Sequence, residues 1–193
     1  MLEITEKKLV LSKLDGKNDI DNTLEFYLNL CKSDHHRIET YASEIMGMTF
    51  VDEMNYISML NHKGLKKSMF RYLALKDAEG KIIGLGEVER MHRETESHVG
   101  ELSFSILPDE RILDTGERFR DALKSGTYLR DALVSEAIEM GLEKLLYYNI
   151  DGNIGNTIIE QRPGSHFRLV IGISHCYKIE GKYFNKNIWE KVL

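Results

Sequence analysis

Three neighbouring stretches decide how this chain reads: GELSFSILPDER at 100–111, SGTYLRDALVSEAIEMGLEKLLYYN at 125–149 and DGNIGNTIIEQRPG at 151–164. In the first, apolar residues alternate along ELSFSIL until Pro108 stops the run, which is the period of a strand. In the second, Tyr128, Leu129, Ala132, Leu133, Ala137 and Met140 recur at helical spacing, and Gly141 closes the helix. KLLYYN at 144–149 follows as a strand, and Asn153 opens a short helix over 153–161. A glycine-bearing loop that leads from a strand into a helix makes a place for phosphate. The first N–H groups of a helix have no intrahelical partner, and its dipole favours an anion.

Towards the N-terminus, KLVLSKL at 8–14 reads as a first strand and DGKND as a turn. Asn22 and Glu25 have capping-box spacing, and Leu24, Tyr27, Leu28 and Cys31 share one face of the helix that follows. A second helix is expected from Thr49, carrying Phe50, Met54, Ile57 and Leu60. FRYLALK at 70–76 and the run 81–91 flank the turn Asp77–Gly80 and form a hairpin. Residues 94–98 are polar and loop-like, and 167–173 with 183–192 form a terminal hairpin. The order is β, α, α, β, β, β, α, β, α, β, β. It implies an α/β chain around one mixed sheet with antiparallel edges.

A chain of 193 residues suits one domain, taken as 1–193, and 42% hydrophobic with 30% charged residues marks it as globular. The net charge is -5 and no Lys/Arg run exceeds the short turn at 63–67, so no nucleic-acid partner is expected. Cys31 and Cys176 stand far apart and neither belongs to a metal-spaced pair, so no metal is expected. MLEITEKKLV has no apolar signal core and no run reaches spanning length, so a reduced cytoplasmic protein without a membrane segment is expected. His35, His36 and His62 lack partner ligands at metal spacing, and Ser174, His175 and Cys176 are strand neighbours that face alternate sides.

This order of elements, with these residues in these places, resembles the GNAT-type N-acetyltransferase superfamily, and within it a bacterial subgroup of acetyltransferases. The matching residues are Ser105-Ile106-Leu107-Pro108, Glu110-Arg111, the helix end Gly141-Leu142-Glu143-Lys144-Leu145-Leu146, and Asn153-Ile154 through Ile158-Ile159-Glu160. The resemblance implies one mixed, mostly antiparallel sheet flanked by helices. It also implies acetyl-CoA as co-substrate and a primary amine of a small molecule or peptide as acceptor. The family's phosphate loop, R/Q-x-x-G-x-G/A, is altered here, and two registers remain. In the preferred one, Lys124, Ser125, Gly126 and Thr127 hold the pyrophosphate just ahead of a helix that starts at Thr127. In the other, Arg111 through Gly116 form the loop, with Asp114 in the first glycine's place.

The chemistry that the resemblance implies needs a proton acceptor, because a free alkylammonium has a pKa of about 10.4. Glu87, Glu89 and Glu101 are the candidate catalytic carboxylates. Ile106 or Leu107 would offer a backbone N–H to the developing oxyanion and pair with the pantetheine arm like an added strand. Asn153 would orient that arm. The tyrosine that many members use to protonate the leaving thiolate falls here at Ile159 or Glu160. The altered loop and this absent tyrosine motivate a rival reading, a catalytically degenerate GNAT fold that senses a ligand or mediates an interaction. Pairing of the terminal hairpin across a two-fold is the expected mode of any homodimer.

Overall fold

A computed structural model describes residues 9–14, 18–32, 69–107, 116–151, 159–161, 164–179 and 181–193. The expected second helix from Thr49, the loop 108–115, Asn153 and the histidines at 35, 36 and 62 lie outside the described residues. Seven strands form one sheet: β1 (Val10–Lys13), β2 (Phe70–Lys76), β3 (Ile82–Arg90), β4 (Val99–Ile106), β5 (Lys144–Ile150), β6 (Arg168–Ile179) and β7 (Lys182–Val192). Their spatial order is β1-β2-β3-β4-β5-β7-β6. Among these pairs β4 and β5 alone run parallel and the rest are antiparallel; the antiparallel edges are those that the sequence order implied. Among the described residues two helices of more than one turn flank the sheet, α1 (Ile20–Lys32) and α2 (Gly116–Glu139), with a 3-10 turn at Glu94–Glu96.

The β2–β3 hairpin forms where expected. The Asp77 N–H donates to the Lys81 carbonyl at 3.0 Å, and Asp77 Oδ1 accepts the Glu79 and Lys81 amides at 3.0 and 2.9 Å. An aspartate that satisfies two turn amides fixes the hairpin locally. Strand alternation then sends Leu73, Val88, Leu102, Phe104, Leu145 and Tyr147 to one face of the sheet. There they pack with Leu129, Leu133 and Ala137 of α2 and with Met140 just beyond its end. The opposite face carries Ala74 and Leu85, which with Ile82 meet Phe26 and Leu30 of α1.

Two helix expectations need correction. α1 starts at Ile20, with Thr23 N–H donating to Asp19 O at 2.8 Å, so the helix opens ahead of the Asn22–Glu25 box. Its buried stripe is Thr23, Phe26 and Leu30, while Leu28 is 53% exposed, because the larger ring of Phe26 takes the sheet-facing side. α2 starts at Gly116, not at Thr127. The stretch 117–124 holds Glu, Arg, Arg, Ala, Leu and Lys, all good helix formers. They carry the helix through Gly126, whose cost inside a helix is about 1 kcal/mol relative to alanine. The C-terminal end is as read. Gly141 has φ 70°, its N–H donates to Ile138 O at 2.9 Å, and Leu142 N–H donates to Ala137 O at 3.1 Å. That is a Schellman stop, which requires a left-handed residue.

Candidate active site

The parallel ladder between β4 and β5 is short. It runs from Val99 opposite Lys144 to Leu102 opposite Tyr147 and stops. β4 nevertheless continues to Ile106 and β5 to Ile150, each still paired on its far side with β3 and β7. A wedge therefore opens in the middle of the sheet, with Ser103–Ile106 on one bank and Tyr148–Ile150 on the other.

Alternation decides which backbone groups face the wedge. Leu107 N–H donates to Ile83 O at 2.8 Å, so the odd residues of this end of β4 turn to β3. Phe104 and Ile106 then present N–H and C=O to the wedge. On the other bank, Asp151 N–H donates to Asn185 O at 3.1 Å, so Tyr148 and Ile150 turn inward. Of the two expected backbone donors, Ile106 is aimed at the wedge and Leu107 is already engaged with β3.

On the α2 side the wedge is floored. The rings of Phe104 and Tyr147 stack across it at 5.5 Å between centroids and 21° between planes. Its far end meets Ile106 together with Ile159. A Cβ built on Gly126 would lie 2.5 Å from Ile159 Cδ1 and 3.7 Å from Ile106 Cγ1. Gly126 thus admits the Ile159 side chain against α2. Lys124, Ser125, Gly126 and Thr127 do not precede the helix but lie in its third turn, about 15 Å from its start at 1.5 Å rise per residue. Amides at such positions bond back to the preceding turn, and Ser125 and Gly126 are buried. The free N–H groups of α2 are at Gly116, where the second register placed the loop's last glycine.

The other face of the wedge is polar. Glu101, Ser103 and Ser105 of β4 share it with Glu87 and Glu89 of β3, since Glu87 is opposite Ser103 and Glu89 opposite Glu101. The structure brings the three candidate carboxylates together and separates their roles. Glu87 accepts from Ser103 Oγ at 3.3 Å and lies beside Tyr72, whose phenol is pushed up first by burial and then by Glu87. Glu89 is 2.8 Å from His92 Nε2. Glu101 has no hydrogen bond or ion pair among the described residues. Neighbouring protein raises its carboxyl above the usual range, Lys186 draws it back, and Glu89 and Glu87 raise it further. Glu101 stands one residue before the ladder ends, at the point of the wedge. Tyr148 stands one residue past the fork on the facing bank, with the Lys186 ammonium 4.2 Å from its ring centroid.

No protein-family model matches the chain, and no curated protein does. Solved structures do match along nearly the whole length. A GNAT-family acetyltransferase from Streptococcus pneumoniae superposes with a TM-score of 0.73 at 18% identity, over 96% of this chain and 100% of that one.

This chain has the GNAT acetyltransferase fold.

Two more solved structures superpose as well. A ribosomal-protein-alanine N-acetyltransferase from Brucella melitensis gives a TM-score of 0.70 at 19% identity, over 95% of this chain and 99% of that one. The protein yncA of Salmonella typhimurium, solved with its cofactor acetyl-CoA, gives 0.70 at 14% identity, over 96% of this chain and 94% of that one. Among the described residues, no helix is long and apolar enough to cross a membrane, and no group of His, Cys, Asp and Glu could hold a metal ion.

The sequence reading named Glu160 only within the matching motif and as a position of the absent tyrosine, with no sign of its burial. Glu160, in the helical turn 159–161, is fully buried and neither carboxyl oxygen has a hydrogen-bond partner among the described residues. Burial pushes its carboxyl up to about 7, against the pull of Arg130 and Lys191. Arg130, also buried, donates to Ile159 O at 2.6 Å, and Lys191 donates to Ser165 O at 2.6 Å. A glutamate beside an isoleucine in a short helix gives no local sign of such burial.

Proposed function

We propose that the protein is an acetyl-CoA-dependent N-acetyltransferase acting on a primary amine of a small molecule or peptide. The observation that carries this is the wedge itself, in a GNAT fold: an open strand edge at Phe104 and Ile106 beside a carboxylate, Glu101, that has no hydrogen bond among the described residues. Its two inward-facing backbone edges suit an extended pantetheine arm, which would pair with β4 as an added strand. The start of α2 at Gly116 offers unpaired amides to a pyrophosphate in the second register. Lys124, Ser125, Gly126 and Thr127 are interior to the helix; Ser125 and Gly126 are buried and better assigned to packing than to phosphate, and Lys124 is exposed.

Bound acetyl-CoA supplies the acetyl group already activated as a thioester. The Glu101 carboxylate accepts the proton of the incoming ammonium, directly or through water, and its raised pKa makes it a better acceptor than an ordinary carboxylate. The Ile106 N–H, fixed by β4, donates to negative charge developing on the acyl oxygen in the transition state. Glu87 and Glu89 add negative potential that draws a cationic amine to the same face. A cytoplasmic location fits a co-substrate of this kind.

A second reading has one observation in its favour. α2 runs unbroken through the turn where the preferred register put the phosphate loop. A GNAT fold so altered serves as a ligand sensor or an interaction module. Calorimetric titration with acetyl-CoA and CoA, followed by thiol release over a broad amine panel, separates the two. Binding with turnover is expected; binding without turnover across the panel favours the second reading, and no binding at millimolar ligand removes the transferase reading.

A further inference from the structure

Two opposite charges face one gap at the wedge and do not close it. Lys13, Lys76, Lys81 and Lys144 each meet a carboxylate. Lys186 meets none among the described residues; its ammonium rests over the Tyr148 ring instead. Glu101, across the fork on β4, has no hydrogen-bond or ion-pair partner among the described residues either. The two are near enough for Lys186 to draw the Glu101 carboxyl down, yet they form no ion pair. Lys186 sits opposite Ile150 in the register, so its stem rises from β7 and its head reaches over β5 towards the wedge. An ammonium seated on a ring face keeps N–H donors turned away from the ring. On the β3 and β4 banks, Glu87, Glu89 and Glu101 repel an anion, so Lys186 is the favourable place for one on this face.

We propose that the acceptor is an amine that also carries a carboxylate a few bonds away, its amine at Glu101 and its carboxylate at Lys186. The proposal rests on the transferase reading and adds the acceptor's chemical class to it. Such an ampholyte satisfies both charges at once. A purely cationic acceptor leaves Lys186 facing like charge, a built-in penalty against that class. Lys186 acts as a specificity residue, since it touches the non-reacting end of the acceptor.

The test uses the full chain with glycine, β-alanine and γ-aminobutyrate, and with the amide of each. Direct binding is followed by calorimetry, and turnover by thiol release from acetyl-CoA. At least one amino acid is expected to bind about tenfold or more tightly than its amide, the loss typical of a charged hydrogen bond. Lys186→Met should abolish that preference by weakening the amino acid alone, and Lys186→Arg should restore most of it. In turnover the change should fall on KM, with kcat nearly unchanged. Equal binding of amino acids and amides, or a preference that survives Lys186→Met, overturns the proposal. The binding arm decides it even where thiol release is absent for every amine, a result that would overturn the transferase reading alone.

Discussion

At the scale of single residues, the site turns on which of three carboxylates is left uncommitted. Glu87 and Glu89 have nearby donors in Ser103 and His92, whereas Glu101 has none among the described residues and stands at the fork. Glu101→Gln is therefore expected to lower kcat/KM by about 10²–10⁴, the usual contribution of a positioned base. Glu87→Gln and Glu89→Gln should cost far less. The base must be ionised to accept a proton, so activity falls as pH drops through a Glu101 pKa that lies above the ordinary carboxylate range. A pH profile of kcat/KM should show that acidic limb in the wild type and lose it in Glu101→Gln. The sequence put Glu87 with Glu89, and Glu101 with Ser103 and Ser105, by strand alternation; the β3–β4 register brings the two sets to one face. The sequence could not rank them, because their hydrogen-bond partners come from other strands and loops.

At the scale of elements, α2 is where the local reading and the fold diverge. Gly126 looks like a helix boundary in the sequence, since glycine is a poor helix former. In the fold it is the position at which α2 passes Ile159 and Ile106, and a small residue there allows that approach. Amide hydrogen exchange should find Ser125, Gly126 and Thr127 protected in the free protein; rapid, loop-like exchange at these amides would contradict the continuous helix. Lys124→Ala should leave CoA affinity within about twofold, since an exposed side chain ten ångströms or more from the helix start is screened from a phosphate there. The other end of α2 was legible because its signal is local. Gly141 at φ 70° should lose about 1–2 kcal/mol of stability on change to alanine, read from the urea midpoint.

At the scale of the whole molecule, the turn 159–161, α2 and β7 meet around Glu160. Its folded pKa of about 7 lies above the ordinary glutamate value of 4.5, so the stability it permits is intact below 4.5 and is lost as pH rises through 7. Glu160→Gln should remove this loss, making the variant more stable than the wild type at pH 8 by on the order of 3 kcal/mol, with little difference at pH 4. Urea denaturation of both proteins at the two pH values checks it; parallel curves at every pH would assign the pH dependence elsewhere. The sequence by itself determined the order of the strands, the hairpin turn at Asp77, the stop at Gly141 and the antiparallel edges. Those follow from periodicity and turn chemistry, which act over a few residues. Tertiary structure alone decided that the β4–β5 ladder ends at Leu102, that the Ile106 amide and not that of Leu107 faces the opening, that Glu101 is uncommitted and that Glu160 is sealed in. Each of these depends on where a distant segment stops pairing or begins packing, and no local pattern of residue types records that.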